Sequence, residues 1–372
     1  MRLRLIPLCL GVAGVVPAAV LARGAVGAAA AQIWPPFVLV TGLLLIGVVA
    51  GEDGVFAAVA ARLDRLPGGS LSLYVAAMAL VAVVTPVLNL DTSVAFLTPV
   101  LVHAARRRGA GEERLLYGCV FMSNAASLLL PGSNLTNLLV LSGEHISGSV
   151  FLSRMALPWL AAVVVTAVVV AVAFHASGVT AAQAPSAGDA RLRGWLGPFG
   201  VAAAGGLTLA LGDPALPVLG LGLALVAVRV AQGRLQLARV SRRVDLVSLA
   251  GIFLVAVALG AVARVWSYPA SLMRTTGAIA AAALGAVVAV FVNNLPAAVL
   301  LGSGAVAHPR GLLIGLDVGP NLAVTGSLSA LIWWQAARAV GARPSALRYT
   351  TVGVVLVPLT IAAALAAGRA VI

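Results

Sequence analysis

The chain has 372 residues; 61% are hydrophobic, 9% are charged and the formal net charge is +13. Soluble domains carry about a quarter charged residues, so this chain cannot cover a water-facing surface and reads as an all-α polytopic membrane protein. Every one of the 24 basic residues is Arg; without Lys there is neither a P-loop lysine nor a Schiff-base lysine, and Arg confined to short loops between apolar runs reads as membrane orientation, with no nucleic-acid partner.

A spanning helix needs about 20 apolar residues. Residues 1–32 hold the first run; Arg2, Arg4, an apolar stretch and small residues give it a signal-like look, but with so many later spans it is expected to be a retained extra helix. Residues 33–175 follow as a first repeat, with runs near 33–60, 70–105, 115–141 and 151–175. The run 70–105 is too long for one helix and is broken at NLDT (89–92). Arg62 and Arg65 precede it and Arg106, Arg107, Arg108 and Arg114 follow it, so both ends belong on the cytoplasmic side. The second arm, roughly 93–105, is too short to span, which points to a re-entrant hairpin.

Residues 176–194, rich in Pro, Gly, Ser and Asp, read as a cytoplasmic linker. Residues 195–372 form the second repeat, whose long run 271–307 is broken at NNLP (293–296). With a cytoplasmic N-terminus, most Arg falls inside, including Arg191, Arg193, the cluster from Arg229 to Arg243, and Arg338, Arg343 and Arg348. Arg23, Arg154, Arg264, Arg274, Arg310 and Arg369 fall outside. The second hairpin, 271–307, then enters from outside. The expected plan is two inverted-topology repeats in the cytoplasmic membrane, each with a re-entrant hairpin and a broken helix, about nine spans and two hairpins in all. Gly132-Ser133 and Gly326-Ser327 hold matching places after the two hairpins.

Irregular backbone survives at membrane depth only where protein buries it or it lines a cavity. The breaks therefore nominate a solute or ion site. The first tip offers Asn89, Asp91 and Thr92, and the second offers Asn293 and Asn294. The first broken helix offers Ser123, Asn124, Ser133, Asn134 and Asn137, with Ser127 and Thr136 beside them. The second offers Asp317, Asn321, Thr325, Gly326 and Ser327. Asp91 and Asp317 are the acids well inside apolar sequence, hence the proton-coupling candidates; each also reads as a half-helix cap or a sodium ligand. Amides suit a neutral polyhydroxy solute or an ion, or serve as helix–helix glue. Glu52, Asp53, Asp64, Glu112 and Glu113 read as solvated edges, and Trp159, Trp195, Trp266, Trp333 and Trp334 as interfacial anchors. Cys9 and Cys119 lie far apart and the four His are scattered, so no metal site and no cofactor are expected beyond a proton or sodium gradient. H-E-x-x-H and G-x-S-x-G are absent, which disfavours an enzyme.

The stretches NLDTSVAFLTPVL, FMSNAASLLLPGSNLTNLL, FVNNLPAAVLLG and GLDVGPNLAVTGSLSALIWW resemble the ion transporter superfamily, and most closely its arsenical pump branch, the arsenite/antimonite efflux permeases. The resemblance runs from about residue 33 to the C-terminus. It implies two hairpins and two broken helices around one central site, with proton-coupled efflux of arsenite or antimonite as the activity. At the first tip Leu90 separates Asn89 from Asp91, where the arsenite branch reads Asn-Asp. Sodium/proton antiporters and citrate or dicarboxylate carriers share the plan. No Arg lies deep in the expected bundle, which weighs against a carboxylate cargo. The expected partners are a small inorganic solute and membrane lipid; a homodimer and a cytoplasmic ATPase subunit stay open.

Overall fold

The computed structural model describes residues 2–141, 146–175 and 192–369; the side chains of residues 2–7, 21, 242 and 243 are outside the description. Most of the linker 176–194, with Arg191, and His145 of the four scattered His therefore lie outside the described residues. The chain is all-helical where described. In order run α1 (Arg2–Leu21), α2 (Arg23–Glu52), α3 (Val55–Asp64), α4 (Ser70–Leu88), α5 (Leu90–Arg107) and α6 (Glu112–Ala126), then a 3-10 turn (Pro131–Ser133), α7 (Leu135–Val140) and α8 (Gly148–Ala173). After the linker come α9 (Leu196–Ala210), α10 (Ala215–Ala231), α11 (Leu237–Val244), α12 (Leu246–Val265), α13 (Tyr268–Thr275), α14 (Ala278–Val292), α15 (Asn294–Leu301) and α16 (Pro309–Val318). Two 3-10 turns (Gly319–Leu322 and Val324–Gly326), α17 (Leu328–Ala339) and α18 (Ala346–Arg369) complete it. Among the described residues, 5 helical stretches are long and apolar enough to cross a bilayer. Their outward faces are apolar: Leu157, Leu160, Val164, Val168 and Val172 of α8 are all exposed, as a lipid-facing helix requires.

Three boundaries differ from the sequence expectation. The division at 32/33 falls inside α2, which runs through Pro35 and Pro36. Proline removes helix donors, but in an apolar setting the flanking peptide groups have no partner outside a helix, and the helix continues. The run 33–60 is two elements, turned at Gly54 with φ 80°. The second arm of the first hairpin is α5, 18 residues, or about 27 Å. It is not short. Its end is bonded to the end of α3 and the loop that leads into α4: Arg107 pairs with Asp64, and Arg108 donates to the carbonyls of Leu63 and Gly68.

One order of elements occurs twice: long helix, short helix, two helices joined at an Asn, broken helix, long helix. It covers α2 to α8 and again α12 to α18. The contacts follow the same symmetry. α1 packs on α12 and α10 on α2; α2 meets α12; α8 meets α18; α5 packs on α17 and α15 on α7. The paired long helices run antiparallel. Phe37 meets Phe253 edge-on, while Arg264, later in α12, reaches back to Ala28 and Gln32, earlier in α2. Within the second unit α14 and α16 run side by side, with Gly311, Gly315 and Gly319 set against Ala278, Ala282 and Ala286. A Cβ at Gly315 would collide with the Ala282 carbonyl, so these backbones touch as small-residue membrane packing allows.

Two side chains placed at the membrane edge are buried. Asp53 is 3% exposed; its Oδ2 accepts from Arg229 at 2.6 Å and from the Gly197 N–H at 2.6 Å. A carboxylate at a helix end reads as solvated until the distant Arg that covers it is known. Trp333 is fully buried and donates from Nε1 to the Leu116 carbonyl at 2.8 Å, packed with Tyr117 and Tyr349; it is core, not an anchor. Cys119 is buried, whereas Cys9 is exposed on α1.

Candidate functional site

The helix breaks create the polar centre. α6 ends at Ala126, and the Ser127 carbonyl, left without a helical donor, accepts from Asn137 Nδ2 at 2.9 Å and from the Ser133 hydroxyl. Ser133 also reaches the Leu130 carbonyl. Asn134 caps α7 by accepting from the Thr136 N–H, which leaves its Nδ2 free to donate to Asp317 Oδ1 at 2.8 Å. The Ser127 hydroxyl stands 3.0 Å from Asp317 Oδ2 and 2.8 Å from the Asn124 carbonyl. It has one proton, so it serves one acceptor at a time. Asn124 donates to Asn321 Oδ1 at 2.7 Å, and Asn321 donates on to the Phe121 carbonyl. Ser327 caps α17 by accepting from the Ala330 N–H.

Asp317 is 0% exposed and has no cationic partner among the described residues. A charge in such a place is costly to bury, and the groups that bond the carboxyl are neutral amide and hydroxyl donors. The neutral donors around it come from the first broken helix, whereas Asp317 belongs to the second.

The chain also breaks at Asn89, between α4 and α5, and at Asn293, between α14 and α15. Asn89 and Asn293 have nearly the same backbone, φ 76° and ψ 163° against φ 77° and ψ 150°, a region that glycine alone tolerates without strain. Each Asn answers the strain by capping the helix it starts: Asn89 Oδ1 accepts from the Thr92 N–H, and Asn293 Oδ1 from the Leu295 N–H. Asn293 Nδ2 also reaches the Thr325 carbonyl at 3.2 Å. Asp91, half-buried, accepts from Ser329 of α17 at 2.6 Å. Thus the first tip touches the second unit through a residue that sequence reasoning did not nominate.

The structure gathers Asn124, Ser133, Asn134, Asn137, Asp317 and Asn321 into one buried network and adds Ser127. It sets Asn89, Asp91 and Thr92 at one tip and Asn293, with Thr325, at the other. Asn294 and Ser327 are buried, Thr325 is exposed, and Gly326 lies tight against Pro320. Thr92 Oγ1, Ser123 Oγ, Asn124 Oδ1, Thr136 Oγ1 and Asn137 Oδ1 are buried without a protein partner. Such atoms are expensive to leave unsatisfied. No group of three His, Cys, Asp or Glu suited to a metal exists among the described residues.

No curated protein matches the chain. Among solved structures it is similar to the Alcanivorax borkumensis YdaH transporter, described as having an unusual topology. The identity is 13%, the match covers 93% of this chain and 87% of that one, and the TM-score is 0.54; at this identity the likeness establishes the fold. The sequence matches the CitMHS family, described as citrate transporter, over residues 2–334. That match falls on the carboxylate-carrier alternative and gives no support to the arsenical pump branch. The chain therefore belongs to the CitMHS citrate transporter family and is a multi-pass membrane transporter, a secondary carrier and not an enzyme.

Proposed function

We propose that this chain carries a citrate-class polycarboxylate across the cytoplasmic membrane, driven by a proton or sodium gradient, with two inverted-topology repeats enclosing the pathway. The family match over 2–334 supports the cargo class. The repeated element order and the antiparallel α2–α12 contact support the inverted plan, and the Arg distribution supports a cytoplasmic N-terminus.

The observation that carries the coupling is Asp317, buried with neutral donors only. When Asp317 is ionised, Ser127 turns its proton to Oδ2. When Asp317 holds a proton or a cation, Ser127 can turn to the Asn124 carbonyl. The charge of one acid is thereby linked to hydrogen bonds that join the two broken helices. Asp91, joined to Ser329, is the second coupling candidate.

A second reading, efflux of a neutral trihydroxide such as arsenite, rests on the same network, whose lining is amide and hydroxyl without Arg among the described residues. Radiolabelled citrate uptake into proteoliposomes, with proton and sodium gradients imposed in turn, separates the two. Gradient-driven citrate uptake supports the first reading; citrate inertness with arsenite movement in the same vesicles sinks it in favour of the second.

A further inference from the structure

Three arginines expected on the outer side converge in the structure. Arg154 near the start of α8, Arg310 at the start of α16 and Arg369 at the end of α18 line one open cleft of about 660 Å³, with His308 beside them. No Asp or Glu lines it among the described residues. On the opposite face the pattern is reversed. Arg106, Arg107, Arg239 and Arg348 each hold a carboxylate, from Glu112, Asp64, Glu52 and Glu113. Among the described residues the cleft guanidiniums hold none.

The two faces are fixed by α8. It starts at the cleft, and its far end, at Phe174, takes hydrogen bonds from Arg114; its 26 residues cover about 39 Å. The first turns of α14 and α16 also line the cleft, and neither carries a side-chain cap. These helices run parallel, so their positive ends and free N–H groups lie on the same side. The floor includes Leu313 and Ile314, one turn of α16 before Asp317. From Arg310 to Asp317 is about 10 Å along that helix.

We propose that this cleft is a capture site for a small polycarboxylate anion, at the mouth of the route to Asp317. Guanidinium groups match carboxylates two bonds at a time, and concentrated positive charge in a cleft raises the local concentration of an anion. The proposal rests on the citrate-class reading of the cargo. The phosphate of an anionic lipid headgroup shares this chemistry, and the test tells the two apart.

The test compares the wild type with two triple variants, Arg154→Gln/Arg310→Gln/Arg369→Gln and the same three positions changed to Lys. Citrate binding to the purified protein in detergent is measured by calorimetry. Citrate uptake is measured in vesicles of phosphatidylcholine alone and with added phosphatidylglycerol, across a range of ionic strength. The Gln variant should weaken binding and raise KM about tenfold and flatten the salt dependence, with the maximal rate held within about twofold. The Lys variant should keep most of the affinity, which separates charge from folding. An unchanged KM in the Gln variant overturns the capture site and leaves the citrate reading standing. A defect confined to vesicles with phosphatidylglycerol overturns it in favour of lipid. Arg-dependent citrate binding by a wild type that moves no citrate keeps the capture site and sinks the cargo reading. No binding by the wild type overturns the capture site whatever the uptake shows.

Discussion

Asn134 donates to Asp317 at 2.8 Å across 183 positions of the chain. This bond, with the one from Ser127, fastens two interrupted helices to each other at a carboxylate. Replacing Asp317 by Asn keeps the shape and one acceptor oxygen, turns the other into an amide donor that Ser127 Oγ can accept, and removes the group that can change charge. Gradient-driven uptake should fall at least about 100-fold, while the protein still elutes as a folded species. Asn134→Ala removes one bond to a charged group, about 1.5–3 kcal/mol, and should lower uptake about tenfold or more. Uptake and thermal unfolding of both variants, measured in parallel, check this; a driven Asp317→Asn carrier would remove the acid from the coupling.

Ser329 touches Asp91 from the other unit. Loss of the Ser329 hydroxyl should mimic, in weaker form, loss of the Asp91 charge. Asp91→Asn is expected to abolish the dependence of uptake on the driving ion, and Ser329→Ala to shift the ion concentration for half-maximal rate about tenfold. Both are read from uptake titrated with protons and with sodium. Identical titrations for wild type and Ser329→Ala would show that the contact is incidental.

Asn89 and Asn293 pay for the sharp tips with backbone strain of about 1–3 kcal/mol each. Asn89→Gly relieves that strain and gives up only a cap, so it should change the melting temperature little. Asn89→Val keeps the strain, adds a branched side chain and loses the cap, and should destabilise by about 2 kcal/mol or more. The same ranking is expected at Asn293. Thermal unfolding in detergent decides, and a Val variant as stable as Gly would contradict the strained geometry.

Asp53 and Arg229 are both buried, at 3% exposure, and join the end of α2 to α9 and α10. Breaking such a pair leaves a bare charge inside, costing about 3–5 kcal/mol. Asp53→Ala or Arg229→Ala should therefore lose much of the folded protein, and an apolar pair at both positions should recover part of it. Yield and thermal stability of the singles and the double measure the coupling.

The helix breaks were legible because apolar sequence makes every Asn, Asp, Pro and Gly conspicuous. NLDT and NNLP hold the breaks between α4 and α5 and between α14 and α15, and PGSN and DVGPN hold the interruptions that follow α6 and α16. Ser329 was not legible. A Ser within a helix is unremarkable until a carboxylate from another unit is placed beside it. The same holds for Ser127, which looked like one hydroxyl among many, and for Asp53, whose partner lies in a different part of the chain. The 32/33 division was not legible either, because one helix, α2, carries its apolar sequence straight through Pro35 and Pro36. The gathering of Arg154, Arg310 and Arg369 is a tertiary event, with no local signal at any of the three.

The crossed packing of the long helices bears on how the protein is made. α1 finds its seat on α12 and α2 finds part of its cover on α10, so the earliest helices to leave the ribosome lack their partners until much of the chain is built. At about 5–20 residues per second that delay is on the order of ten seconds. Neither half can close its own core, and misassembly is a hazard throughout that interval. The same dependence gives the halves a reason to find each other. Two fragments cut within 176–191 and produced together should assemble, while either fragment alone is expected to be degraded.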